Sequence, residues 1–144
     1  MATQTGYAKW ASITSPNTKW EPQYVINLIV DDEVANDFKA KGFPVKEFDE
    51  GLALVMRRKV EGANGRINSA PKLFDRVKNE IDVSVGNGSK VKVQYKEWES
   101  QRNGKTFKGF DLMAVQVLDL ISYTGAGDEF DIEESLEVEE SDEL

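Results

Sequence analysis

A small antiparallel β-barrel followed by an acidic tail is what the sequence predicts, on three observations. Five stretches have strand character and are parted by turn signals. One helix stands out, marked at both ends. The stretch from Thr124 to Leu144 holds ten carboxylates and neither Lys nor Arg.

Taken in order, Gly6–Thr14 (GYAKWASIT) alternates loosely and should end at the turn signal Ser15-Pro16-Asn17. Tyr24–Val30 (YVINLIV) is an apolar, β-branched run. Its even positions, Tyr24, Ile26, Leu28 and Val30, should face a core, since the other face carries Asn27. Asp31-Asp32-Glu33 then supplies an N-cap and a negative first turn, and Val34, Ala35 and Phe38 recur at helical spacing. Lys39, Lys41 and Gly42 close this helix, and Pro44 prevents its continuation. Leu52–Val60 starts apolar and turns basic, as a strand does on leaving a core for a rim.

Lys72–Ile81 has two readings. Leu73, Val77 and Ile81 are four apart, as in a short helix, but turns near Ala63-Asn64-Gly65 and Gly86-Asn87-Gly88 also suit a hairpin. Lys90–Trp98 alternates cleanly, with Val91, Val93 and Tyr95 inward and Lys90, Lys92, Gln94, Lys96 and Trp98 outward. Ser100–Lys105 is a polar hairpin connection turning at Asn103-Gly104. Phe110–Tyr123 is long enough to bulge midway and serve both sides of a barrel. Five strands with one or two short helices fit the five-stranded OB-type barrel, with a β-sandwich as the other arrangement of that strand count. Residues 1–123 are the expected domain. Residues 124–144 are the expected flexible tail, too poor in apolar residues to pack.

The net charge of −8 conceals a split. With the ten tail carboxylates set aside, 16 acids remain against 18 Lys and Arg, so the body is slightly basic. A basic body with an acidic appendage suggests a polyanion partner. The chain has no Cys and no His, which removes disulfides, thiolate zinc sites, the usual general base and the Cys–His nucleophile. No enzymatic activity and no cofactor or metal are expected. The N-terminus lacks a signal-peptide pattern, and no apolar run is long enough to span a bilayer. The final SDEL, although similar to a retention address, reads as coincidence, so the expected compartment is the cytoplasm.

Bases and aromatics are interleaved. Lys9-Trp10, Lys19-Trp20 and Lys96 near Trp98 put a cation beside every tryptophan. Arg57 and Lys59 share a strand face, Lys92 lies in register with Lys96, and Arg66, Lys72, Arg102, Lys105 and Lys108 fall in or near loops, with Phe107 beside Lys108. Single-stranded nucleic acid asks for this pairing: a positive track for phosphates and flat rings for unstacked bases, each stack worth ~1–3 kcal/mol. The bland reading makes the tryptophans core and the lysines a solvated face. It weighs equally for Trp10, less for Trp20 in a polar connection, and least for Trp98 among polar neighbours. Tyr95 is expected in the core. Gly104-Lys105-Thr106 is not a phosphate loop, because Glu99 stands where a glycine is needed and a strand follows. Asp49-Glu50 reads as a solvated loop before Gly51.

GYAKWASI, YVINLIVDDEVA, VMRRKV, GNGSKVKVQYKEW and LMAVQVLDLISY before an acidic end, in that order, resemble the single-stranded DNA-binding proteins of tailed bacteriophages. The resemblance runs from Gly6 into the tail and implies an OB-fold protein. Such a protein would coat single-stranded DNA without sequence preference in replication and recombination, inside the infected bacterium. It also implies a tail that recruits phage replication or recombination proteins, here through Phe130, Glu139, Glu140, Asp142, Glu143 and Leu144. Relatives often end in an aromatic residue, whereas this chain ends in Leu144. Two other functions suit a small barrel with an acidic end: a virion assembly protein, or an acidic DNA mimic.

Overall fold

The computed structural model describes residues 1–19 and 21–121; Trp20, the 123/124 boundary and the tail lie outside the described residues. The elements are β1 (Ala2–Asn17), β2 (Gln23–Ile29), α1 (Asp32–Ala40), β3 (Val45–Phe48), β4 (Gly51–Lys59), a single 3-10 turn (Ala63–Gly65), β5 (Lys72–Phe74), β6 (Lys90–Arg102) and β7 (Lys105–Asp119).

Five long strands close the barrel. β1 pairs with β2 and β6, β2 with β4, β4 with β7, and β7 with β6. Four of these pairings are antiparallel and the fifth, Arg57 beside Asp111, is parallel. An odd ring cannot alternate direction all the way round, so one parallel seam is unavoidable. The architecture is the expected OB-type barrel, mostly β with one α-helix.

Several local expectations change. β1 continues through Ser15-Pro16-Asn17 instead of turning there. Its pairing with β2 shifts register between Lys9 and Ser12, and again before Asn17. The two short strands were not expected: β3 lies along β4, and β5 adds to β7. Lys72–Ile81 is not helical. Asp75 Oδ1 accepts the N–H groups of Val77 (3.0 Å) and Asn79 (2.8 Å), and this Asx-type turn closes a small hairpin. The Asn103-Gly104 turn has φ of 52° and 77°, the paired left-handed geometry of a two-residue hairpin turn. β6 and β7 therefore run on past the barrel as a long arm.

The inward alternation is as expected. Ile26, Leu28, Leu54, Met56, Val91, Val93 and Leu112 are fully buried, each worth about 1.5–3 kcal/mol over exposure. Val25, Asn27 and Ile29 on the other face of β2 are buried too, so this strand is covered on both sides. At the foot of the arm, Phe110 stacks on Phe43 (4.8 Å) and meets Phe38 and Tyr95 edge-on (5.3 and 5.1 Å). α1 carries Phe38 into this cluster and buries Ala35. Burial, and secondarily the charge of Glu97, raises the Tyr95 phenol, in keeping with its core position. No helix among the described residues is long and apolar enough to cross a membrane.

Candidate nucleic-acid interface

Most of the sequence-predicted residues that the structure describes fall into three groups on the outer surface. The first lies across β1, β2, β4 and β3. Cross-strand pairing places Tyr7 beside Ile29, Lys9 beside Asn27, Val25 beside Arg57 and Gln23 beside Lys59. Asn27, Val25, Ile29 and Val55 form a buried floor, with Arg57 and Lys59 exposed at one end.

At the other end the β1 bulge re-aims Trp10. Its φ of 48° is unusual for a bulky residue and costs of order 1–3 kcal/mol. The bend is held by a hydrogen bond from the Trp10 N–H to Asn87 Oδ1 (2.8 Å) and one from Asn27 Nδ2 to the Lys9 carbonyl (3.1 Å). The indole is 58% exposed, which rules out the core reading for Trp10. Lys9 Nζ lies 4.8 Å from the Trp10 ring centroid and 5.8 Å from that of Phe48, and Lys46 Nζ lies 5.3 Å from Phe48. Lys9 also donates to Glu50 Oε2 at 2.7 Å. That bond is the largest cause holding the Glu50 carboxyl below its ordinary value.

The second group is the outer face of the β6–β7 arm. Pairing sets Lys96 beside Asp111, Trp98 beside Gly109, Ser100 beside Phe107 and Arg102 beside Lys105. The Trp98 indole lies flat against Gly109, where any Cβ would collide with the ring. This contact fixes one ring face and leaves Trp98 47% exposed. Phe107 is 47% exposed, and Lys96, Arg102 and Lys105 are all exposed. Behind them, on the inner face, Lys108 Nζ lies 5.6 Å from the Phe43 ring.

The third group is an open groove on the β1–β6–β7–β5 side, lined by Thr3, Phe74, Lys78, Lys92, Gln94 and Gln116. Lys72 borders it, next to Ala114 across the β5–β7 pairing. Lys19 and Arg66 stand exposed in the loops after β1 and β4, outside all three groups. Trp20, Phe130, Glu139, Glu140, Asp142, Glu143 and Leu144 lie outside the described residues.

Sequence reasoning missed Tyr7, Lys46, Phe48 and Glu50 at the first group, and Phe74 and Lys78 at the third. The Lys46-x-Phe48 alternation in VKEF was the available signal, but four residues are short for a strand assignment.

No protein-family model and no curated protein matches the sequence. Solved structures share its fold. One is gp2.5, a single-stranded DNA-binding protein encoded by bacteriophage T7, with a TM-score of 0.64 at 16% identity, covering 96% of this chain and 98% of that one. Another is the single-stranded DNA-binding protein from bacteriophage Enc34, with a TM-score of 0.59 at 12% identity, covering 92% of this chain and 87% of that one. The Enc34 protein in complex with single-stranded DNA gives 0.59 and 12% over 85% of this chain and 88% of that one. At such identities the likeness is one of fold.

Proposed function

We propose that this chain binds single-stranded DNA without sequence preference and coats it during phage replication or recombination in the bacterial cytoplasm. The observation that carries the reading is the first group. Trp10 and Phe48 are presented with Lys9 and Lys46 against them, on a face that continues to Arg57 and Lys59. An exposed indole and a half-buried phenyl ring beside cations suit bases and phosphates alternating along a strand. The fold shared with single-stranded DNA-binding proteins supports the same reading.

The interface consists of Lys9, Trp10, Lys19, Trp20, Arg57, Lys59, Arg66, Lys72, Lys92, Lys96, Trp98, Arg102, Lys105 and Phe107, joined by Lys46 and Phe48. Stacking gives affinity that tolerates any base. Phosphate contacts give affinity that falls with salt. The protein acts by binding rather than by catalysis. Residues 124–144 form the separate tail. Its ten carboxylates compete with DNA for the basic surface at a high effective concentration, and once displaced they recruit replication or recombination proteins.

The test is binding of oligo-dT, followed by tryptophan emission, for the full chain and for the chain lacking residues 125–144. Quenching by oligo-dT and not by duplex supports the reading, and tighter low-salt binding without the tail supports competition. Unchanged affinity without the tail sinks the competition. Assembly into particles with no response to oligo-dT would favour a virion assembly protein instead.

A further inference from the structure

The Lys9–Glu50 ion pair deepens the single-strand reading and rests on it. Glu50 lies in the turn between β3 and β4, while Lys9 is on β1, so the pair reaches across the end of β2. The two partners differ in freedom. The Lys9 side chain is 16% exposed, with its ammonium near the rings of Trp10 and Phe48. The Glu50 side chain is 49% exposed at a turn. A phosphate approaching Lys9 meets a carboxylate already bonded to it at 2.7 Å. Keeping both anions there places like charges within a few ångströms. Moving Lys9 away would give up its place near the rings of Trp10 and Phe48, whereas Glu50, half-exposed at a turn, would exchange its bond to Lys9 for solvent and give up a local backbone hydrogen bond.

We propose that Glu50 is an internal stand-in for a DNA phosphate: the strand displaces it from Lys9, and Glu50 thereby sets the affinity of the Trp10 face. Two consequences separate this from a merely structural ion pair. Lys9 and Glu50 together bring no net charge to the strand, so the pair releases few counterions and adds little to the salt dependence of binding. Removing the Glu50 charge restores that contribution.

The experiment compares oligo-dT binding across a salt series for the wild-type full chain, Glu50→Gln and Glu47→Gln. Glu47 is exposed on β3 and makes no ion pair among the described residues, so its variant controls for loss of one negative charge. Glu50→Gln is expected to bind about 3- to 10-fold tighter than Glu47→Gln at low salt, and its log–log salt slope should steepen by about 0.7. In the Glu50→Gln chain, Lys9→Gln should then reverse both changes. Equal or weaker binding by Glu50→Gln, or an unchanged slope, overturns the proposal. Absence of binding by all three chains would overturn the single-strand reading itself, and this inference with it.

Discussion

The Trp10 face and the β6–β7 arm present the same residue types in opposite states. On the barrel face the cation is taken: Lys9 is bonded to Glu50 and lies over Trp10 and Phe48. On the arm Trp98 rests on Gly109 backbone, and Lys96, Arg102 and Lys105 make no ion pair among the described residues. At the Trp10 end of the barrel face the cation is preassembled and neutralised, although Lys46 and Arg57 on the same face make no ion pair among the described residues; those three arm cations are all open. The difference divides labour. The Lys9–Trp10 end should contribute mainly stacking, and Lys96, Arg102 and Lys105 on the arm should each add to the salt dependence.

The largest expected effect attacks what both regions share. Phe110 stands on β7 where the arm leaves the barrel, packed against Phe38, Phe43 and Tyr95. Phe110→Ala should cost about 3–5 kcal/mol in chemical denaturation. If it leaves stability nearly unchanged, the arm and barrel are not joined through this cluster.

Next come the rings. Trp10→Ala should weaken oligo-dT binding by about 5- to 150-fold, the range of one stacked base, with little change in melting temperature because the indole is already exposed. Gly109→Ala tests the arm without removing its ring. The added Cβ must push the indole off the backbone, so the loss of affinity should match that of Trp98→Ala. Wild-type affinity in Gly109→Ala would mean that the seating of Trp98 is irrelevant to binding.

The smallest effects are the most diagnostic. Lys96→Gln, Arg102→Gln and Lys105→Gln should each reduce the salt slope, by about 0.7 for every phosphate that is no longer neutralised. Lys9→Gln in the wild-type chain should change it far less. Equal slopes across all four would erase the distinction between the two regions.

The barrel was readable in the sequence because its main signals are periodic. The alternation of Val91, Val93 and Tyr95 with Lys90, Lys92 and Gln94 survives intact in β6, and the Asn103-Gly104 turn needs only local chemistry. Likewise the helix lies between Asp31 and Gly42 as its own residues predict, although Asp31 occupies the N-cap position without a side-chain capping bond. What stayed hidden depends on partners distant in sequence. β3 and β5 are three or four residues long and exist through their pairing with β4 and β7. Asp49-Glu50 read as a solvated loop because nothing in EFDEG announces Lys9, 41 residues away. The bulge that turns Trp10 outward depends on Asn87, 77 residues along the chain. Local alternation therefore revealed the basic and aromatic residues but not their division into three groups.

The most direct test of single-strand binding is a titration of the full chain with oligo-dT, followed by tryptophan emission at several salt concentrations. Quenching by single strands, little response to duplex, and an affinity that falls linearly in log–log form as salt rises are the expected results. Emission that ignores oligo-dT, or an affinity indifferent to salt, would contradict it.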